Sequence, residues 1–262
     1  MNTPVPQTAQ TPSTLQKVAL VTGGGRGIGA ATCHQLAKLG YAVVVNYASQ
    51  KAAADAVCEA IAAVGGTALA LQADVSDEAQ VLAMFAAMDA RFGRLDALVN
   101  NAGVVDMPSA VVDMSVARLT RMMNTNVIGS IVCAREAVRR MSTASHGLGG
   151  AIVNLSSAAA KLGSPNQYVD YAASKGAIDS FTIGLAKEVA SQGIRVNGVR
   201  PGIIDTDIHA SGGLPDRVAQ MANQVPMQRG GSTDEVAQAI CWLLSDAASY
   251  VTGTTIDVTG GR

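Results

Sequence analysis

The segment that decides the fold is KVALVTGGGRGIGA, residues 17–30. Its first six residues form a short apolar run typical of a buried strand, and the glycines that follow lead into a helical pattern. Glycines at such a turn let the backbone bend sharply and approach a pyrophosphate, which the amides and dipole of a helix N-terminus favour. A plain strand-to-helix turn is the alternative for the glycine motif alone. A P-loop is excluded because its Gly-Lys-Ser/Thr ending is missing.

The rest of the chain alternates short apolar runs with longer helical patterns, as repeated strand–helix–strand units do. The predicted strands are 17–22, 41–46, 67–73, 95–100, 150–156, 194–199 and 254–258, and the predicted helices are 27–39, 50–64, 76–92, 115–141, 171–191 and 232–245. The sequence therefore predicts the α/β class, as a single-domain, Rossmann-type, doubly wound parallel seven-stranded sheet with helices on both faces.

Two helix starts carry capping signals. Ser232 followed by Glu235 fits a capping box. Ser76 is the expected cap of another helix, ahead of acidic residues at 77 and 78 that suit a first turn.

Domain boundaries follow from composition. Residues 1–15 are rich in Thr, Pro and Gln and are predicted to be a disordered tail, and 16–262 form one domain without an internal linker. Within it, the Pro- and Gly-rich stretch at about 201–231 is long for a connection and predicts a flap over the substrate, with one short helix near 215–223.

Composition excludes several classes of function. The 262 residues carry 19 Lys plus Arg against 20 Asp plus Glu, so no broad basic field exists for nucleic acid or an anionic membrane. No apolar stretch of membrane-spanning length occurs. The four cysteines have neither zinc-site nor redox-pair spacing, so we expect no metal and reduced thiols in a cytoplasmic protein. We also expect His34, His146 and His209 to be non-catalytic.

The second predicted strand bears on cofactor choice. It runs into VNYASQK (45–51), and the first acid after it is Asp55, inside the next helix. NAD-binding proteins usually place an acid here to bind the ribose 2′-hydroxyl. We therefore expect NADP(H) to be preferred and NAD(H) to be possible, with Arg26 meeting the 2′-phosphate and Ser49 or Lys51 assisting. A merely solvated Arg26 is the alternative.

Three further segments follow strand ends that should meet at one edge of the sheet: NNAG (100–103), NLSS (154–157) and YAASK (171–175). Residues four apart share a helix face, so Tyr171 and Lys175 can point into one cleft. We expect the ammonium to lower the pKa of the phenol and make it a proton donor or acceptor. Tyr168 has Ala172 four residues later and lacks this partner.

Together these motifs resemble the short-chain dehydrogenase/reductase family in its compact form, over about residue 16 to the end. The likeness rests on TGGGRGIG (22–29), NNAG, Asn126 in NVIG, NLSS, YAASK, RPG (200–202) and VTGTTIDVTGG (251–261). The sequence is similar to oxidoreductases of the 3-oxoacyl-ACP reductase and glucose dehydrogenase kinds. The resemblance implies hydride transfer between a nicotinamide and a carbonyl or secondary alcohol substrate.

The resemblance also implies roles for individual residues. Tyr171 would be the acid/base, Ser157 would hold the substrate oxygen, Asn126 would anchor a water in a proton relay, and Lys175 would serve that relay and bind the nicotinamide ribose. Asp74 and Val75 would contact adenine, and Thr206 the carboxamide. The full set of expected cofactor contacts is Gly23, Gly25, Arg26, Gly27, Ile28, Gly29, Asn46, Tyr47, Ser49, Asp74, Val75, Asn101, Ala102, Gly103, Tyr171, Lys175, Pro201, Gly202, Ile204 and Thr206.

One departure concerns the interval from Ser157 to Tyr171, which is one residue longer than is usual in the family. Ser156 is therefore an alternative to Ser157, although a backbone-bonding role for Ser156 is favoured. Lys161 and Pro165 in the longer interval would reshape the pocket, which the apolar segment 104–114 and the flap are expected to make mostly apolar. Asp205 and Asp207 are expected to be solvated loop charges.

Alternative functions stay open at this point. The chain could be a non-catalytic nucleotide-sensing or scaffold protein, or a redox-neutral NAD-dependent epimerase or dehydratase. Similar tetramers associate through helices corresponding to 115–141 and 171–191, so a homotetramer is expected. Arg135, Arg139 and Arg140 are either a carrier-protein docking rim or a solvated helix face.

Overall fold

Seven parallel strands form one sheet in the order β3-β2-β1-β4-β5-β6-β7 in the computed structural model, which describes residues 16–206, 212–214 and 216–262. The strands are β1 Val18–Val21, β2 Ala42–Tyr47, β3 Thr67–Gln72, β4 Ala97–Asn100, β5 Gly150–Leu155, β6 Ile194–Pro201 and β7 Thr255–Val258. The prediction of a doubly wound seven-stranded sheet is confirmed. The predicted tail, residues 1–15, lies outside the described residues.

Helices connect the strands on both faces. They are α1 Gly27–Lys38, α2 Lys51–Ala63, α3 Glu78–Phe92, α4 Val116–Met123, α5 Gly129–Met141, α6 Ala159–Leu162, α7 Val169–Val189, α8 Arg217–Met221 and α9 Thr233–Leu244. The short helix expected near 215–223 is α8. In the described part of the chain, no helix is both long enough and apolar enough to span a membrane.

The core has two layers, one on each face of the sheet. Ala19 and Val21 of β1 pack in the layer under α1, α2 and α9, whereas Val18 and Leu20 pack in the layer under α3, α5 and α7. Because successive side chains of a strand point to opposite faces, a strand covered on both sides must be apolar throughout. This explains why the strands were visible as continuous apolar runs.

The predicted helix at 115–141 is interrupted. A π-turn over Asn124–Ile128 separates α4 from α5, and Asn126 lies within it. The Asn126 side chain accepts a hydrogen bond from the Val104 amide at 2.8 Å and donates to the Val104 carbonyl at 2.9 Å. Turns of this kind are frequent at functional sites, where they reorient a side chain out of the helical pattern.

The two predicted caps had different outcomes. The capping box of Ser232 and Glu235 is present at the start of α9. The prediction that Ser76 caps α3 is wrong, because Asp77 accepts the amide hydrogen bonds of the first turn. The Ser76 hydroxyl instead donates to Asp74 at 2.7 Å, so it closes the turn that follows β3.

Phe85 of α3 is fully buried in the layer shared with α5 and α7. We expect Phe85→Ala to lower the free energy of unfolding by about 3–5 kcal/mol, because it removes apolar contact and leaves a cavity. Leu82→Ala is the matched control on the same helix, since Leu82 is 41% exposed. Denaturant titration measures both. Equal losses for the two variants would contradict the position of Phe85 in the core.

Candidate active site

The site begins at the point where the strand order reverses, between β1 and β4. Parallel sheets of this kind leave a crevice there, beyond the carboxyl ends of the strands. Thr22, which follows β1, accepts hydrogen bonds through its hydroxyl oxygen from the amides of Asn101 and Ala102, both at 3.0 Å. The Asn101 side chain donates to the carbonyls of Thr22 and Gly23 at 2.9 and 3.0 Å. The two loops are thus joined into one rim.

The glycine loop is packed too closely for side chains. A Cβ on Gly29 would lie 2.3 Å from the Gly23 carbonyl oxygen, and Gly23 itself has a φ of +61°. Asn46 holds the loop from below: its side-chain oxygen accepts from the Gly23 amide at 3.1 Å, and its amide donates to the Ala73 carbonyl at 3.0 Å. Asn46 is 1% exposed. It therefore shapes the loop from the buried side.

The loop fits a dinucleotide pyrophosphate. Helix α1 starts directly after Arg26, which makes no side-chain cap hydrogen bond within the described chain. The amides of the first turn are therefore available to an anion, and the helix dipole favours one. A Cβ on Gly27 would come within 3.5 Å of Thr206, so the start of the predicted flap lies against the loop.

Most of the residues at the end of β2 that are expected to contact the adenosine half of the cofactor are at least partly exposed. Tyr47 is partly buried, and Ser49 and Arg26 are exposed. Lys51 is paired with Asp55 at 2.6 Å, so its charge is already compensated. Among the described residues, Arg26 has no carboxylate partner. Of the two remaining expected contacts, Val75 is buried, and Asp74 accepts hydrogen bonds from Ser76.

The reacting end lies in a cavity of about 730 Å³. The predicted site residues that line it are Ile28, Asn101, Gly103, Ser157, Tyr171, Lys175, Pro201, Gly202, Ile204 and Thr206. They come from the glycine loop, the ends of β4, β5 and β6, and the first turns of α7. The structure therefore brings the separated sequence motifs to one crevice.

Ser157 and Tyr171 share a hydrogen bond between their side chains. Ser156 is turned away: its hydroxyl donates to the Lys175 carbonyl at 3.1 Å, and the residue is 3% exposed. The geometry thus favours Ser157 over Ser156 as the hydroxyl beside the tyrosine. The Ser157 oxygen also accepts from the Ala159 amide at 3.1 Å, which orients it at the start of α6.

Lys175 occupies a buried position beside the tyrosine. Its ammonium donates to the Leu155 carbonyl at 2.6 Å and lies 5.6 Å from the centroid of the Tyr171 ring. Burial lowers the pKa of Lys175 to about 8, and the negative charge of Asp179 offsets part of that fall. A lysine held in this way retains a proton near neutral pH without bulk water around it.

The expectation that Lys175 lowers the pKa of Tyr171 is wrong for this structure. Burial raises the pKa of the phenol above its usual value, and the hydrogen bond with Ser157 only partly offsets that rise. The cause is desolvation, which disfavours the phenolate, while the ammonium is directed to a backbone carbonyl. The phenol is therefore held in its protonated form, as a proton donor requires.

Asn126 lies behind this group. Its side-chain amide donates to the Ser174 hydroxyl at 3.1 Å. A Cβ on Gly103 would lie 3.3 Å from the Asn126 side-chain oxygen and 3.6 Å from the Lys175 nitrogen. Asn126 and Lys175 therefore flank the same backbone segment, and the π-turn is what brings the asparagine there.

Sequence reasoning missed a buried ion pair next to the tyrosine. Arg118 of α4 donates to Asp170 through Nε at 2.7 Å and through Nη2 at 3.2 Å, and to the Met107 carbonyl at 2.7 Å. Asp170 also accepts from the Tyr171 amide at 2.9 Å. The pair ties α4 and the 104–110 segment to the first turn of α7. Its members are 52 residues apart, so no local spacing signals it.

The remaining predicted charged and histidine residues lie outside the cavity or outside the described part of the chain. Asp205 is exposed, as expected, whereas Asp207 and His209 lie outside the described residues. The described residues contain no group of three or more His, Cys, Asp or Glu that could hold a metal ion. The three arginines of α5 form ion pairs, so the helix face is a charge network. The pairs are Arg135–Glu78, Arg139–Glu136 and Arg140–Asp89, each at 2.7 Å.

The chain is similar to known proteins along most of its length. A family profile described as Enoyl-(Acyl carrier protein) reductase matches residues 23–262. A protein of Escherichia coli (strain K12), called uncharacterized oxidoreductase YgfF, is 58% identical over 245 residues, which cover 94% of this chain and 99% of that protein. The 3-oxoacyl-[acyl-carrier-protein] reductase FabG of Staphylococcus aureus (strain Mu50) is 41% identical over 248 residues, covering 94% of this chain and 98% of FabG.

Solved structures agree in fold. A short-chain dehydrogenase from Burkholderia cenocepacia, in complex with NADP, has a TM-score of 0.85 at 35% identity and covers 94% of this chain and 98% of its own. A dehydrogenase/reductase from Sinorhizobium meliloti has a TM-score of 0.85 at 33% identity, with 94% of each chain covered.

The buried ammonium of Lys175 gives a pH dependence of stability. Its pKa is about 8 in the folded chain and near 10.4 when unfolded, so between these values the unfolded state binds more protons. Lys175 therefore opposes folding most strongly below pH 8, and this cost declines as pH rises toward 10.4. The free energy of unfolding of the native chain, minus that of Lys175→Met, should rise across this window by up to about 1.4 kcal/mol per pH unit.

Denaturant titrations at several pH values measure this difference. Lys187→Met is the control on the exposed side of the same helix, and its difference from the native chain should not change over the window. A flat difference for Lys175→Met would contradict a desolvated ammonium.

Proposed function

Because the chain belongs to the short-chain dehydrogenase/reductase family, we propose that it is an NADP(H)-dependent oxidoreductase that interconverts a carbonyl compound and the corresponding secondary alcohol. The observation that carries this proposal is the cluster of Ser157, Tyr171 and Lys175 in one cavity that extends to Ile28, in the first turn of α1 after the glycine loop. A protonated phenol beside a hydroxyl and a buried ammonium can deliver a proton to a carbonyl oxygen as a general acid.

Each residue has a part in the proposed reaction. The bound nicotinamide supplies a hydride to the carbonyl carbon and is oxidised. The Tyr171 phenol donates the proton to the oxygen, and Ser157 donates a hydrogen bond that positions that oxygen. Lys175 holds the ribose and returns the proton to Tyr171, and Asn126 supports the relay that reaches Lys175. The protein thus contributes position and charge, and the cofactor the hydride.

The preference for NADP(H) is supported by the end of β2. No acid stands where an NAD-binding protein places one, and Arg26 and Ser49 are both exposed, with Arg26 lacking a carboxylate partner in the described chain. A guanidinium suits a 2′-phosphate, because the phosphate supplies the negative charge that no carboxylate of the described chain provides for Arg26. The NADP in the Burkholderia cenocepacia structure supports the same choice. NAD(H) remains the second cofactor to test.

Self-association is proposed on the face of α4, α5 and α7. Large apolar side chains are exposed along these helices and the π-turn between them. They are Val116, Leu119, Met123, Ile128, Ile131, Val169 and Ile183. A monomer seldom exposes so many in one region, and we propose a homotetramer that covers them.

We propose a cytoplasmic location for the enzyme, on the character of its thiols. All four cysteines are free, and burial raises the pKa of Cys133 and of Cys241 to about 12. Thiols of this kind are unreactive packing groups, as in proteins of reducing compartments.

Tyr171→Phe tests the reaction. The variant keeps the ring but loses the proton donor, so kcat should fall by about 10²- to 10⁴-fold. The dissociation constant for NADPH should stay within about threefold, because the cofactor contacts remain. NADPH absorbance followed against ketones, diketones and 3-oxoacyl thioesters measures the rate, and Tyr250→Phe is the control, since Tyr250 is fully exposed.

The same assay separates the alternatives. Near-native turnover by Tyr171→Phe would contradict the assignment of the acid. Net consumption of NADPH excludes a redox-neutral epimerase or dehydratase. NADPH binding without turnover on the whole panel would favour a sensor or scaffold.

Arg26→Ala tests the cofactor preference. Removing the guanidinium should raise the KM for NADPH by about 10- to 100-fold, because a charge-assisted contact with the phosphate is lost. The KM for NADH should change by less than about threefold, since NADH carries no phosphate at that position. Arg91→Ala, on the exposed surface of α3, is the control. An unchanged ratio of the two KM values would remove Arg26 from this role.

A further inference from the structure

The cavity that contains Tyr171 also has arginine side chains in its lining. Its described lining residues include no aspartate or glutamate. They include Arg217 of α8 and Arg262 on the flap side, together with the amide side chains of Gln220 and Gln224. Arginine stays protonated at every physiological pH, so a substrate entering here meets a fixed positive field.

Arg217 is held in place by uncharged partners. Its Nη1 donates to the side-chain oxygen of Gln167 at 2.9 Å, and its guanidinium lies 5.2 Å from the centroid of the Tyr168 ring. Tyr168 in turn donates to the Gly212 carbonyl at 3.3 Å. These contacts orient the guanidinium without neutralising it.

Three other arginines of the chain are paired with carboxylates. Arg118 is paired with Asp170 at 2.7 Å, Arg200 with Asp179 at 2.8 Å and Arg229 with Glu235 at 2.6 Å. Arg217 has no such carboxylate among the described residues. A positioned but uncompensated guanidinium in a substrate cavity is poised to pair with an anion that comes from outside the chain.

Arg262 adds to the charge at the same edge. Its guanidinium contacts the Met221 sulfur at 3.9 Å, and Met221 lies four residues after Arg217 in α8. Residues at this spacing share one face of a helix. The positive charge is therefore concentrated along the α8 side of the cavity.

Part of the cavity lining is apolar. Ala158, Ala159 and Leu162 line it at α6, and Val105 and Leu214 line it from two loops. The cavity thus combines a proton donor, an aliphatic surface and a guanidinium. This set of groups suits a short amphipathic substrate.

We infer that the substrate is an oxo acid, a carbonyl compound with a free carboxylate that binds Arg217 while its carbonyl lies at Tyr171 and Ser157. A carboxylate matches better than a phosphate group, because one guanidinium balances its single negative charge, whereas a phosphate monoester carries about two. This inference rests on the proposed function. In the reaction, the carbonyl carbon takes a hydride from NADPH and its oxygen takes the Tyr171 proton. The products are the hydroxy acid and NADP⁺, with the carboxylate unchanged.

The test compares acids with their neutral esters. NADPH oxidation is followed with 4-oxopentanoate, 5-oxohexanoate and the methyl ester of each. The native chain should show kcat/KM values at least about tenfold higher for the acids, since the ester cannot pair with a guanidinium. Arg217→Gln should lower the value for the acids by about 10- to 100-fold, through KM, and leave the esters within about threefold.

Two controls isolate the charge. Arg91→Gln, on the exposed surface of α3, should leave all four substrates unchanged. Arg217→Lys should restore part of the preference for acids. Pentanoate, which cannot be reduced, should inhibit ester reduction competitively, and Arg217→Gln should weaken that inhibition by at least about tenfold. This last measurement reports binding of the carboxylate apart from its turnover.

The outcomes distinguish a failure of the oxo acid inference from a failure of the proposed oxidoreductase function. Esters reduced as well as acids, in a reaction that Tyr171→Phe abolishes, would overturn the inference and leave the proposed function intact. An equal loss for acids and esters in Arg217→Gln would assign Arg217 to the shape of the flap and also overturn it. Preference for a phosphate-bearing ketone over the oxo acids would overturn the choice of carboxylate. Reduction of no carbonyl compound at all would overturn both.

Discussion

The hydrogen bond from the Lys175 ammonium to the Leu155 carbonyl is the contact on which the site depends. A buried charge is costly unless it is hydrogen-bonded, so the lysine must stay at the end of β5. That contact fixes α7 against the sheet edge and thereby places Tyr171 beside Ser157. Desolvation sets the state of both groups: it raises the pKa of the Tyr171 phenol and lowers that of the Lys175 ammonium.

Around that contact, asparagine side chains bind backbone groups, while two arginines have no carboxylate partner in the described chain. Asn46 and Asn101 bind backbone groups of the glycine loop, and Asn126 binds the backbone of Val104, so two buried side chains and one partly buried side chain hold the rim. The guanidiniums of Arg26, beside the glycine loop, and Arg217, on the cavity wall, have no carboxylate partners in the described chain. Uncompensated guanidiniums of this kind suit a phosphate-bearing cofactor and an anionic substrate.

Much of this could be read from local pattern. The strands were recognisable because each is buried on both faces, and the motifs after β1, β4 and β5 converge because parallel strands present their carboxyl ends at one edge. The break in the 115–141 helix was invisible, because the π-turn serves a contact between Asn126 and Val104, 22 residues away in the chain. Arg118 and Asp170 went unnoticed for the same reason, and the cap on α3 was misassigned because Ser76 and Asp77 are equally good caps in isolation.

The amino-acid order alone was enough to establish the parallel sheet, the glycine loop and the spacing of Tyr171 from Lys175, since these depend on neighbours along the chain and on periodic burial. The protonation of the phenol, the choice between Ser156 and Ser157, and the uncompensated charge of Arg217 emerged only once the chain was folded. Each depends on which atoms are removed from water and which distant groups lie within hydrogen-bonding distance, and neither quantity is local in sequence.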